Sequence, residues 1–255
     1  MNETTLYLDH AATTPARPEA AAAVDEVMRR APGNASSAHA AGRRARAALE
    51  EARERVAGAL GATPTEILFT SGGTESDNLA VIGRWRATRG GIVLSAIEHS
   101  AVREAAGVAA REGAPVTALA VDEEGRVDLG ALEEALQEPG ISVVSVMWGN
   151  NEVGTLQPVS EIGSRCAERG VAFHTDAVQA VGHVPVNVER ARCSLLSLSA
   201  HKIGGPTGVG AHKDPPGPRH DPQLSGGGQD RQRRDVAEVQ EDPAAGRARA
   251  ARLES

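Results

Sequence analysis

Three residues suited to covalent and acid–base work, Lys202, Asp176 and His99, each stand just beyond a short apolar run. Glu98-His99-Ser100 follows the run 92–97, and Asp176, with Gln179 one turn on, follows 171–175. Ala200-His201-Lys202-Ile203-Gly204-Gly205 follows 195–199. A lysine leaving a buried strand beside two glycines can be an ordinary loop residue. It can also be an amine that partial desolvation activates for Schiff-base formation. Ser71-Gly72-Gly73-Thr74-Glu75-Ser76 closes the run 67–70 and opens a helix carrying Leu79, Val81 and Ile82. Glycines at a helix N-terminus expose backbone N–H groups and Thr74 adds a hydroxyl, which suits a phosphate; a plain glycine turn fits the same residues. Asn150-Asn151-Glu152-Val153-Gly154 ends the run 141–148, where asparagines ordinarily just make a turn.

The elements that must position these groups have a common pattern. The runs 67–70, 92–97, 116–121, 141–148, 171–175 and 195–199 are short and continuous, as in parallel strands buried on both faces. Between them lie helical spacings. Ala45, Leu49, Ala52, Val56 and Leu60 recur at steps of three and four, and Val159, Ile162 and Cys166 do so behind Pro158. This alternation predicts α/β architecture with a doubly wound, mostly parallel sheet of about seven strands, its sites at the strands' C-terminal ends. One lysine, one aspartate, one histidine and a phosphate-type loop then share one sheet edge. Pyridoxal phosphate needs that set: an amine for its aldehyde, a carboxylate for its ring nitrogen and a cradle for its phosphate.

Composition narrows the field. The 255 residues carry a net charge of −7, against general nucleic-acid binding. No apolar run reaches the ~18 residues of a membrane span and no signal peptide opens the chain, so a cytoplasmic protein is expected. Two cysteines, Cys166 and Cys193, exclude a disulfide scaffold and a four-thiolate zinc site. Cys166 falls on its helix's apolar stripe, and nothing beside Cys193 marks it as activated. His174, His183 and His201 lack the close spacing of a zinc cluster, so no metal is expected. A dinucleotide-binding reading has Glu98 about where a ribose-binding acid would sit, but lacks G-x-G-x-x-G and leaves Lys202 without a role. Beyond Gly210 the pattern fails: from 211 to 255 the large aliphatics are Leu224, Val236, Val239 and Leu253 amid Pro, Gly and charge. The expectation is a large domain over 1–210, about the first 15 residues forming an arm, and a poorly packed tail over 211–255.

Seven segments together resemble the cysteine desulfurases, a family of class-V, fold-type-I pyridoxal-phosphate enzymes. They are Leu8-Asp9-His10-Ala11-Ala12-Thr13-Thr14-Pro15, Gly33-Asn34-Ala35-Ser36-Ser37-Ala38-His39, Phe69-Thr70 with the glycine loop, Glu98-His99-Ser100-Ala101-Val102, Asn150 to Gly154, His174-Thr175-Asp176-Ala177-Val178-Gln179, and Ser199 to Pro206. The resemblance implies that Lys202 bonds the cofactor's aldehyde and Asp176 holds its ring nitrogen. It implies that His99 stacks on the ring and moves protons, and that Asn151 and Gln179 contact the phenolic oxygen. Gly73, Thr74, Ser199 and His201 would hold the phosphate. It implies a homodimer that takes sulfur from L-cysteine, leaving alanine and an enzyme persulfide, and passes it to an acceptor or scaffold protein for iron–sulfur clusters or tRNA thiolation.

The resemblance lapses after Ala211, returns at Gly226-Gly227-Gly228-Gln229-Asp230-Arg231 and lapses again at Asp235-Val236-Ala237. That is the pattern of shifts in reading frame. The family's small C-terminal domain and its cysteine loop are not found, and neither Cys166 nor Cys193 maps to that nucleophile. The expectation is a desulfurase by descent that does not complete sulfur transfer. Two alternatives stay open: another class-V aminotransferase or lyase chemistry, or a non-catalytic remnant that pairs with a complete paralogue.

Overall fold

The computed structural model describes residues 6–215. An arm leads into α1 (Pro18–Arg30), which starts on Pro18 and buries none of its residues, and α2 (Ala40–Leu60) follows. His39 Nδ1 caps α2 by accepting from the Gly42 N–H at 3.2 Å, and Gly61 ends it at φ 70°. Then come β1 (Ile67–Thr70), α3 (Gly73–Asn78), a π-helical turn (Leu79–Gly83) and α4 (Arg84–Thr88), a continuous helical path. The chain continues through β2 (Gly91–Ser95), α5 (Ser100–Arg111), β3 (Val116–Leu119), α6 (Leu129–Ala135) and β4 (Ile141–Ser145). It closes with α7 (Val159–Glu168), β5 (Ala172–Asp176), α8 (Val188–Ala191), β6 (Leu195–Ser199) and β7 (Gly210–Lys213).

The seven strands form one sheet in the order β1-β7-β6-β5-β4-β2-β3, parallel except for β7, which is antiparallel to both neighbours. Period-two alternation divides each central strand between two cores. Ile92, Leu94, Val143 and Leu195 face one side with Trp85, Val102 and Ala105. Val93, Val144, Phe173 and Leu196 face the other with Ile162 and Cys166. Both faces are therefore covered, and the sheet is the doubly wound, mostly parallel one expected. Among the described residues no helix is long and apolar enough to cross a membrane.

Two expectations need correction. In α2 the inward stripe skips Ala52, which is exposed, and takes Arg53 instead. Arg53 is tolerated inside because it pairs with Glu50 at 3.0 Å, bonds the Ile67 carbonyl and lies 5.3 Å from the Phe69 ring centroid. The second correction is the domain limit. Ala211 to Asp214 do not leave the fold; β7 is inserted between β1 and β6 and buried throughout. Its polar residues are accommodated by partners. His212 Nδ1 lies 3.1 Å from Ser76 Oγ, and Lys213 Nζ lies 3.1 Å from Glu66 while donating to the Cys193 and Ser194 carbonyls. The rest of the expected tail, 216–255, lies outside the described residues.

Candidate active site

Every parallel strand except β3 delivers a polar residue to the same sheet edge. Gly73 and Thr74 follow β1, His99 follows β2, Asn151 follows β4, and Asp176 ends β5. Ser199 ends β6, and His201 and Lys202 occupy the single 3-10 turn after it. A cavity of about 240 Å³ is lined by all of these and by Gln179. The structure thus brings together the nine residues singled out from the sequence.

Local folding explains how each is presented. His99 caps α5: its Nδ1 accepts from the Ala101 N–H at 3.2 Å, so in the neutral ring the proton sits on Nε2. Asn150 builds the turn beside it, with Oδ1 accepting from Glu152 and Val153 and Nδ2 donating to the Ile97 carbonyl at 3.1 Å. That turn leaves Asn151 in the cavity wall, where its Nδ2 donates to Glu152 Oε1 at 2.6 Å. Gly73 permits close approach: a Cβ there would lie 2.8 Å from Val178 Cγ2. Gly204 takes φ 81° to turn the chain away from Lys202, where a Cβ would strike Arg17.

The N-terminal arm clasps the lysine turn. Lys202 Nζ donates to the Ala11 and Ala12 carbonyls at 2.6 and 2.9 Å, and Gln179 Nε2 shares the Ala11 carbonyl at 2.9 Å. Thr14 Oγ1 donates to the Lys202 carbonyl at 2.9 Å, the Arg17 N–H to Gly204, and His201 Nδ1 meets Thr13 Oγ1 at 3.0 Å.

Electrostatics divide the groups by burial. Burial lowers the pKa of Lys202 and His201, although Asp176 and Asp9 pull the lysine the other way. Burial raises the Asp176 carboxyl, against the Val178 N–H at 2.9 Å and the positive potential of His99 and Lys202. Ser199 Oγ is buried at the cavity and has no hydrogen-bond partner among the described residues. A buried hydroxyl without a partner is costly, so one facing a cavity marks where an acceptor belongs.

Asp77 also lines the cavity, with Met147 and Val178, and was not singled out from the sequence. Its one available signal was an acidic residue set against the apolar stretch 79–82. Glu98 does not face a ribose site; it is buried, accepting from the Met147 N–H at 2.6 Å and Ser145 Oγ at 3.4 Å. His174, His183 and His201 do not gather; among the described residues the set of three or more ligand-capable groups within 4.8 Å of one another is Asp77, His99 and Asp176. Cys166 and Cys193 are buried away from the cavity, and burial pushes their thiols up to about 12 and about 11.

Residues 6–248 match the family described as Aminotransferase class-V. Cysteine desulfurase IscS of Dictyoglomus turgidum is 47% identical over 232 residues, covering 90% of this chain and 59% of the relative. The IscS-like cysteine desulfurase of Mycobacterium tuberculosis is 48% identical over 233 residues, covering 88% and 59%. Among solved structures, a NifS-like protein superposes with a TM-score of 0.83 at 37% identity, covering 89% of this chain and 63% of that one. SspA in complex with cysteine superposes with a TM-score of 0.77 at 35% identity, covering 82% and 61%. The chain therefore spans about 59% of the length of the curated relatives it matches. With residues 6–248 of 255 matched by one family, this chain belongs to the aminotransferase class-V family.

Proposed function

We propose that the cavity binds pyridoxal phosphate and is the cofactor half of a cysteine desulfurase site. The observation carrying this is the convergence of a desolvated lysine, a buried carboxylate and an unpartnered buried hydroxyl, Ser199, on one cavity. The donors suit the group. Thr74, Ser199 and His201 beside the α3 N-terminus suit a phosphate, and the Asp176 carboxylate suits a protonated ring nitrogen. Lys202 is placed for the aldehyde, and its lowered pKa raises the share of free amine. Bound pyridoxal phosphate supplies an electron sink for charge developing at a substrate's α carbon. The chain's own residues do the rest. Asp176 would hold the ring nitrogen's proton, Gln179 and Asn151 would hold the phenolic oxygen, and His99, whose Nδ1 is engaged as an acceptor, would offer a proton on Nε2.

L-Cysteine is the proposed substrate class, supported by the desulfurase relatives and by the cysteine complex of SspA. Sulfur transfer needs a thiolate beside the substrate's sulfur, and both cysteines of this chain are buried with raised pKa values. We therefore read this 255-residue chain as binding the cofactor without itself completing transfer to a persulfide. A cytoplasmic setting, a sulfur-acceptor protein and iron–sulfur cluster assembly are proposed with it, on the resemblance to the cysteine desulfurases. Pairing with a second copy or a longer paralogue is supported by exposed Leu6, Leu8 and Met28 on the arm and α1.

The test adds pyridoxal phosphate to the purified chain. The expected result is a yellow adduct that borohydride fixes on Lys202 and Lys202→Ala abolishes, with no sulfide released from cysteine and reductant. No adduct overturns the cofactor reading; Lys202-dependent sulfide release overturns the reading that transfer is incomplete.

A further inference from the structure

Beneath the cavity floor runs a buried polar chain that the proposed chemistry does not use. Register sets it up: Ser145 on β4 pairs with His174 on β5, and Ser197 lies diagonally across on β6. All three are fully buried. Glu98 accepts from Ser145 Oγ at 3.4 Å, Ser145 Oγ meets His174 Nδ1 at 2.9 Å, and His174 Nε2 meets Ser197 Oγ at 3.0 Å. The Ser197 hydroxyl also favours the charged form of Asp77, against the effect of burial. Asp77 Oδ1 is buried with no hydrogen-bond partner among the described residues; the nearest cationic candidate, His174 Nε2, is 3.7 Å away.

Asp77 and Asp176 lie with carboxylate oxygens within 4.8 Å of each other, and both side chains are buried. Two like charges that close and that little solvated repel strongly, so one carboxyl keeps its proton. The donors decide which. Asp176 receives the Val178 N–H and faces the positive potential of Lys202 and His99. Asp77 has at most the Ser197 hydroxyl, and its buried Oδ1 has no hydrogen-bond partner among the described residues. His174 gives it no cation, since burial, aided by His212, lowers that imidazole to about 3.

We propose that Asp77 is a positioning residue: it holds the proton of the buried pair, so that Asp176 is the ionised member available to a cationic ring nitrogen. Burial, and then the Asp176 charge, raise the Asp77 carboxyl well above the carboxylate range, in keeping with this. The charged and titratable groups around it are His174 and Asp176 from β5, Glu98 and His99 beyond β2, His212 of β7 behind Ser76, and Lys202 beyond β6. The part concerning the ring nitrogen rests on the proposed cofactor. The proton's location does not.

The test compares the full chain with Asp77→Asn, which replaces a neutral acid by a neutral amide. In the cofactor-free protein, infrared difference spectra at about pH 8 lose a protonated-carboxylic-acid band in the variant. A group with a raised folded pKa makes stability fall as pH rises, so Asp77→Asn gains on the parent by roughly 3–5 °C in Tm per pH unit across the neutral range. Retention of the band, or parallel Tm profiles, overturns the proposal. Pyridoxal phosphate is then titrated into the parent. Failure of the parent to bind overturns the cofactor reading alone, and the infrared and Tm results still locate the proton.

Discussion

Replacing Lys213 by Met tests whether the last described strand is part of the folded sheet. The Lys213 side chain is 7% exposed and its partner Glu66 17%. Met keeps the aliphatic volume but leaves the Cys193 and Ser194 carbonyls without the donor they have at 3.2 and 3.0 Å. It also strips Glu66 of its cation, although the Thr63 N–H still serves that carboxylate at 2.8 Å. Two weakened carbonyls and half of a mostly buried ion pair together cost about 3 kcal/mol. For a domain of this size that is about 6–12 °C in Tm. Lys213→Ala removes packed methylenes as well and costs about 2 kcal/mol more. Burial raises the Glu66 carboxyl, but the Thr63 N–H and Lys213 outweigh it and hold it below its ordinary value. Stability from such a group is present above its unfolded pKa and lost as pH falls through the folded one, so the deficit of Lys213→Met shrinks in acid. Urea and thermal melts followed by circular dichroism read both variants. A change under about 1 °C in each would mean that β7 is not seated between β1 and β6, and the reasoning fails.

Ser199→Ala leaves the cofactor-free protein as stable as the parent or slightly more so, because the lost hydroxyl has no partner among the described residues, yet weakens pyridoxal phosphate binding by about tenfold. Melting curves and a fluorescence titration read the two effects; equal affinities would remove Ser199 from the phosphate site. His174, lowered to about 3 by burial, must charge on unfolding, so stability falls as pH drops from 6.5 towards that value. His174→Gln flattens this acid limb, and an unchanged slope in pH-dependent melts counts against a neutral buried imidazole. Cys166 and Cys193 resist a thiol reagent at neutral pH until denaturant is added; prompt labelling of either in the native chain contradicts their burial.

The strands were legible where burial on both faces made them continuous apolar runs, as at Ile92 to Leu94 and Leu195 to Leu198. Gly210 to Lys213 were not, because a central strand written Gly-Ala-His-Lys is stable only through Ser76, Glu66 and two carbonyls that no local pattern reveals. The same holds for Arg53, whose place inside depends on Phe69 and Glu50. The cavity residues could be read because topology alone carries strand ends to one edge, and their types are unusual there. Asp77 carries no such mark in the sequence, since its meaning lies in its distance from Asp176, a long-range fact. The π-helical turn at 79–83 was likewise invisible, as its residues read as any apolar helix face.

The insertion of β7 between β1 and β6 has a bearing on how the chain acquires its shape during synthesis. Among the described residues β1 pairs only with β7, so the first described strand has no strand partner until the last described one has emerged. The neighbouring strands β2 to β6 can pair as they appear, while β1 waits with its edge open. Gly73 and Thr74 follow β1 and pack partly against β7, so that part of the cavity settles fully only once β7 is in place. A ribosome-bound chain stopped before residue 210 would carry Lys202, Asp176 and His99 but lack a settled anion cradle. Competence to take up an anionic cofactor would arrive with the final few residues of the sheet, and a chaperone that shields exposed strand edges would act on β1 until then.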